Sequence, residues 1–226
     1  MRAARKTLSK NNGVSSEKFS KMPKSERKIS LFDDCVFGAF PPEKWNGAFV
    51  SGDSEGVDFY FAQEAKNFEE QKLARNYCFT LKSNPGKIVC AFALSNDGIR
   101  KEILSNSARR KISKGIPFEK TRKIDTFPAV LIGQFGISED FHDMGIGSQT
   151  LDFIKIWLTE KTYPTGFRFI IVDARKDALK FYEKNGFALV YKKESEEKEA
   201  FGFSDDETIS TRFMMFNIKD ASAKQK

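Results

Sequence analysis

Apolar residues recur at helical spacing from Asp58 to Asn76, DFYFAQEAKNFEEQKLARN. Phe59, Ala62, Ala65, Phe68 and Leu73 stand there among charges, and the spacing predicts an amphipathic helix. Two strand-like runs follow, YCFTL (Tyr77 to Leu81) and KIVCAFALS (Lys87 to Ser95). The intervening KSNPG carries a Pro85-Gly86 reversal signal, so the pair reads as an antiparallel hairpin. PAVLIGQFGIS (Pro128 to Ser138) reads as a buried strand whose Gly133 and Gly136 suggest a bulge or a close backbone approach. A Gly-rich turn over 139–147 leads into a helix from about Gly147 to Glu160, with Leu151, Ile154 and Leu158 on its apolar face. FRFIIVDA (Phe167 to Ala174) is nearly all apolar, like a strand covered on both faces. KDALKFYEKNGF (Lys176 to Phe187) reads as a short helix stopped by Asn185-Gly186, and FALVYKK and STRFMMFNI as closing strands. There is no internal repeat. This order predicts an α/β fold, a mixed sheet with helices on both faces.

Composition bounds the reading. With 226 residues, 40% of them hydrophobic, and 23 Phe, the chain can bury one core, and a single domain over 29–220 is expected. The formal net charge is +7, and residues 1–28 hold nine Lys/Arg against two Glu, so the remainder is neutral overall. That head is too polar to bury much surface; it reads as a flexible extension, or as a basic arm for RNA or another polyanion. A short polar tail, 221–226, closes the chain. Asn96 to Asp125 carries nine Lys/Arg against four acids and reads as a long charged loop, functional or simply solvated. The acidic run Lys192 to Thr208 reads as a surface loop or hairpin tip.

No run approaches 18 uninterrupted apolar residues and no apolar stretch follows the N-terminal charges, so neither a membrane span nor a secretory signal is expected. Cys35, Cys78 and Cys90, an odd number without CxxC spacing, read as buried thiols of a reducing compartment, which makes the cytoplasm the expected location. No metal site is read.

Chemistry concentrates in FHDMGIGSQTLDFI, Phe141 to Ile154. Amides at a helix start lack intrahelical acceptors and sit at the positive end of the dipole, so an anion stabilises them, and Gly145 and Gly147 let the backbone approach it closely. The turn is no Walker loop, since no Lys-Ser or Lys-Thr follows. It is no dinucleotide fingerprint either, since Gln149-Thr150 stands where a third glycine would fall.

HDMGIG resembles the Q/R-x-x-G-x-G/A loop of the GNAT N-acetyltransferases, RFIIVDA their following strand, and ALKFYEKNGF their A-x-x-x-Y-E-K-x-G-F helix. Upstream, FVSGDSEGVDFYFAQEAKNFEEQKLARNYCF is similar to the start and first helix of a branch containing toxin-like acetyltransferases, and TRFMMFNI to the last strand. The likeness covers roughly residues 30 to 220. It implies a GNAT fold, with a mixed, mostly antiparallel sheet splayed at the acetyl-CoA strand, and acetyl-CoA as cosubstrate without a metal.

It further implies that amides at Asp143, Met144, Gly145, Ile146, Gly147 and Ser148, with the His142 side chain, hold the coenzyme A pyrophosphate. Groups on Phe135, Gly136, Ile137 and Ser138 would hold the pantetheine arm, with the Ile137 amide as oxyanion donor. Tyr182 would protonate the departing thiolate, a role its phenol suits because a pKa near ~10 exceeds a thiol's. Two positions depart from the family. His142 stands where Gln or Arg is usual, and Arg175 replaces an Asn seven residues before the tyrosine, leaving it to pair with a phosphate or to face water. No general base stands out. Glu139 and Asp140 read as shaping or capping the turn, Asp173 as able to orient a water or substrate amine, and water itself remains an option.

The leading expectation is an acetyl-CoA-dependent N-acetyltransferase acting on a primary amine of unknown identity. The alternatives are a toxin-like enzyme acting on aminoacyl-tRNA, which the basic segments suit, and a non-catalytic acyl-CoA-binding or RNA-binding module. A homodimer is implied by the resemblance alone.

Overall fold

The computed structural model of the chain describes residues 28–41, 49–114, 116, 124–159 and 165–223. The basic head up to residue 27 lies outside them. Strands β1 (Cys35–Ala39), β2 (Arg75–Leu81), β3 (Asn84–Arg100), β4 (Thr126–Ile137), β5 (Phe169–Arg175), β6 (Ala188–Leu189) and β7 (Thr211–Asn217) form one sheet in the order β1-β2-β3-β4-β5-β7-β6. Every neighbouring pair is antiparallel except β4 with β5, which is parallel.

Helices cover both faces, as the alternation along the strands requires. Phe92, Val130, Ile132, Ile170 and Val172 pack under helix Ile146–Thr159, whose buried Leu151, Ile154 and Leu158 are the apolar face read from the sequence. On the opposite face Ala91 and Ala93 meet the segment around Phe49 and Phe61, while Phe127, Ala129, Phe169 and Ile171 meet Ala108, Ile112, Val190 and Tyr191. That face therefore carries two separate cores with a cleft between them. Each fully buried Leu, Ile or Phe contributes about 1.5–3 kcal/mol.

Several boundaries differ from the sequence pattern. The helix expected over 58–76 ends at Glu70 and is built in three pieces: α2, after a first short helix α1 (Leu31–Asp34), covers Val57–Phe59; a π-helical turn covers Tyr60–Glu64; and α3 covers Ala65–Glu70. Asn76, placed in that helix by spacing, belongs to β2. It is 1% exposed; it accepts from Tyr60 Oη at 2.9 Å and donates to the Ala65 carbonyl at 2.8 Å, which ties the π turn to the sheet. The hairpin is present, but it reverses at Lys82-Ser83, since Leu81 already pairs with Asn84, and Pro85-Gly86 falls inside β3.

The charged segment 96–125 is not one loop. Its first residues extend β3 to Arg100, and α4 (Asn106–Ser113) starts at the Ser105 N-cap and buries Ala108 and Ile112. The acidic run also folds, into α7 (Glu194–Phe201), after α5 (Ile146–Thr159) and α6 (Leu179–Lys184). FALVYKK pairs only at Ala188 and Leu189, and Val190 and Tyr191 then turn into the core. The expected tail begins inside a last helix, α8 (Ile218–Ala223). Among the described residues no helix is long and apolar enough to cross a membrane, and no group of three or more His, Cys, Asp or Glu could hold a metal ion.

Candidate active site

Strands β4 and β5 pair only from Ala129–Phe169 to Leu131–Ile171, although β4 continues to Ile137 and β5 to Arg175. Beyond Leu131 they separate. Gly133 lies at the divergence: the β3 partners step from Gln134 to Ile132 across Ala93 and Leu94, so Gly133 is the extra residue of a bulge, which bends β4 away. Gly136 meets the other sequence expectation, close approach, because a Cβ there would stand 2.6 Å from Val57 Cγ1 and 3.1 Å from Phe49 Cζ.

The phase of the β3–β4 ladder determines which groups face the opening. The Ser138 amide donates to the Val89 carbonyl, which makes Ser138 a hydrogen-bonded pair and so, two residues back, Gly136 another. Phe135 and Ile137 occupy the alternate positions, and their N–H and C=O groups point to the edge that β5 has left. Gly136 and Ser138, expected as ligand contacts, thus direct their backbone groups to β3, and Ser138 is 2% exposed.

The turn after β4 is anchored on both sides. Phe141 is buried, the Glu139 amide donates to the Val50 carbonyl, and Lys87 pairs with Asp140 at 2.5 Å. Asp143 at φ 62° and Gly145 at φ 73° then swing the chain into α5. The first amide-to-carbonyl bond of that helix runs from Gln149 to Gly145, so the amides from Asp143 to Ser148 precede its ladder. Gln149 holds the helix start to the N-terminal segment, accepting from the Leu31 amide at 2.8 Å. His142 Nε2 donates to the Ile137 carbonyl at 2.9 Å, so its ring caps the edge of β4. Met144 packs against the core; His142, Asp143, Gly145, Ile146, Gly147 and Ser148 line the opening.

That opening is a cavity of about 1320 Å³. One wall is α6, which presents Phe181 and Tyr182. A Cβ on Gly147 would stand 3.0 Å from Phe181 Cζ, and the Phe181 ring lies 6.1 Å from that of Phe135. Tyr182 is 6% exposed, packs edge-on against Phe181 and Phe187, and lines the cavity; burial pushes its phenol above the usual tyrosine range and keeps it protonated.

The opposite wall lies just before and at the start of α2. Residues 51–57 form it, held by Asp58, whose Oδ1 accepts from the Ser51 amide and hydroxyl at 2.8 and 2.7 Å. Arg175, expected near a phosphate, instead pairs with Asp53 at 3.3 Å and Asp177 at 3.1 Å, and its guanidinium holds the Asp177 carboxyl below the usual range.

Neither a family model nor a curated protein matches the sequence. Solved structures match in shape. AtaT complexed with acetyl-methionyl-tRNAfMet aligns over 85% of this chain and 100% of its own at 14% identity, with a TM-score of 0.63. A mutant of KacT aligns over 85% and 99% at 13% identity, with a TM-score of 0.62. AtaTR bound with AcCoA aligns over 86% and 99% at 15% identity, with a TM-score of 0.58. Likeness at these identities concerns architecture alone. The chain has the GNAT fold, in the form it shares with the AtaT and KacT toxins.

Proposed function

We propose that this protein is an acetyl-CoA-dependent N-acetyltransferase that moves an acetyl group directly to a primary amine. The observation that carries the reading is the gap between β4 and β5. It offers a β4 edge without a strand partner at Phe135 and Ile137, with the amides of residues 143–148 that precede the α5 ladder at one end and Tyr182 in the wall.

Those groups fit the donor. An amide-bearing arm can lie along the β4 edge as an added strand would, and a pyrophosphate suits the amides at the α5 start, where the helix dipole favours negative charge. The Ile137 N–H faces the place where the thioester oxygen gains charge, and a preorganised donor there stabilises the transition state more than the ground state. Tyr182 holds its proton until a thiolate forms beside it. His142 must share or release the Ile137 carbonyl when the arm enters.

A second reading specifies the acceptor as the amino group of an aminoacyl-tRNA. It is favoured by the neighbour AtaT, which is described with acetyl-methionyl-tRNAfMet, and by exposed Arg110, Lys111 and Lys114 on and after α4. Phosphate neutralisation by such residues makes binding fall steeply with salt.

Acetyl-CoA at 100 times its Kd should raise stability by about 2.7 kcal/mol, read as a thermal shift. Release of free coenzyme A is then followed with an amino-acid amide, spermidine and total aminoacylated tRNA as acceptors. Absence of both shift and release would overturn the enzyme.

A further inference from the structure

Adjacent residues of β5 face opposite sides of the sheet: Val172 and Ala174 join the core under α5 and α6, whereas Ile171 joins the core of the other face. Asp173 and Arg175 follow Ile171 onto that second face. Because β4 has parted from β5 at this level, the cavity passes between the strands and is lined from both sides, by Gly147 and Tyr182 on one and by Asp53 and Asp173 on the other. The gap is a window through the sheet.

In direct transfer the nitrogen adds to one face of the thioester carbonyl, out of the plane that holds the C–S bond, and nitrogen and sulfur become separate substituents of one tetrahedral carbon. With the donor arm along the β4 edge and Tyr182 on the α5–α6 side, an acceptor that enters by the other face of the window needs its proton taken on that face. We propose that Asp173 does this, as the carboxylate that receives the acceptor's protonated amine and takes its proton.

Among the described residues two carboxylates of this wall carry no ion pair, exposed Glu55 on the 51–57 segment and Asp173 on the sheet itself, and Asp173 is the one that stands at the parting of β4 and β5. Asp53 and Asp177 are bound to Arg175, and Asp58 is taken by Ser51. Asp173 lines the cavity two residues past the last β4–β5 pair, beside the bulge at Gly133. The charges that act on it are Glu197 on α7 and Asp97 on β3, while Arg175, two residues along the same face of its strand, is paired with Asp53 and Asp177. Desolvation, then Glu197 and Asp97, raise its pKa above the usual aspartate range, which makes it a better proton acceptor.

The step balances with the groups at hand. The ammonium gives one proton to Asp173, the free amine forms the C–N bond, and the C–S bond breaks. Tyr182 protonates the thiolate and is restored by the second proton lost from nitrogen, so one proton leaves to solvent from Asp173.

The inference rests on the acetyltransferase reading, and its test separates the two. Asp173→Asn should bind acetyl-CoA with unchanged thermal shift, yet lose about 10²-fold in kcat/KM for whichever panel amine the wild type acetylates. The wild-type rate should fall as pH drops through the titration of Asp173, and that contribution to the acid limb should vanish in Asp173→Asn and persist in Asp173→Glu. Asp173→Ser, which also removes the charge, should behave as Asn does. Unchanged kcat/KM and acid limb in Asp173→Asn would overturn the role and leave the enzyme standing, as would an equal loss of acetyl-CoA affinity. A wild type that binds no acetyl-CoA and acetylates no amine would overturn both.

Discussion

Glu197 and Arg212 form a buried ion pair, 3% and 8% exposed, in which Arg212 Nε donates to Glu197 Oε2 at 2.6 Å. The second oxygen accepts from the Phe213 amide at 2.5 Å, and Arg212 Nη2 donates to the Tyr191 carbonyl at 3.0 Å. Beyond the Ala188 and Leu189 pairs of β6 with β7, the Phe213 carbonyl still accepts from the Val190 amide, and the carboxylate takes the Phe213 amide. Glu197→Ala leaves a guanidinium buried without its counterion, and the expected loss in chemical denaturation is about 3 kcal/mol. A loss within error of zero would mean the pair is solvated.

Tyr182→Phe keeps the ring packing against Phe181 and Phe187 and removes only the hydroxyl. Turnover should fall by about 10²-fold or more while acetyl-CoA affinity holds. Steady-state kinetics beside a binding titration decide it; equal turnover would remove the tyrosine from the chemistry.

The strand and loop motifs around these residues were legible because each has a local cause. Gly133 and Gly136 announced a bulge and a close approach, Asn185-Gly186 a helix end, and Gly145 a turn into the next helix. What escaped depends on distant partners. α7 has almost no apolar periodicity, and its decisive buried residue is Glu197, whose partners lie 15 and 16 positions away. The π turn is held by Asn76 from another element, and Arg175 is claimed by Asp53, far away in sequence. α4 was legible in principle: Ser105 is an N-cap, and Leu104, Ala108 and Ile112 recur every four residues beneath its conspicuous charges.

The two glycines facing the cavity predict different failures. Gly136→Ala drives a methyl toward Val57 and Phe49, and overpacking of this kind costs about 1–3 kcal/mol of stability. Gly147→Ala meets only the edge of the Phe181 ring, at 3.0 Å. It should shift that ring and weaken acetyl-CoA binding with little change in unfolding midpoint. A reversal of this order would mean that the α5 start yields less than β4 does.

Burial raises the Cys35, Cys78 and Cys90 thiols from 9.0 to about 12. Below about pH 9 the thiols are protonated folded or unfolded and contribute no pH dependence. Above it the unfolded chain ionises first, so stability should decline as pH rises from about 9 toward 12. Denaturant midpoints across that range test the sign, and a thiol reagent at pH 8 should label these cysteines only after unfolding.

The window between β4 and β5 also bears on the order of events. Two reactants that approach one carbon from opposite faces of a sheet do not block each other's doorway, and neither needs to depart before the other arrives. No side chain has to carry the acetyl group in between. Double-reciprocal plots should therefore intersect, as for a ternary complex, rather than run parallel, and coenzyme A should leave by the face it entered while the acetylated amine leaves by the other.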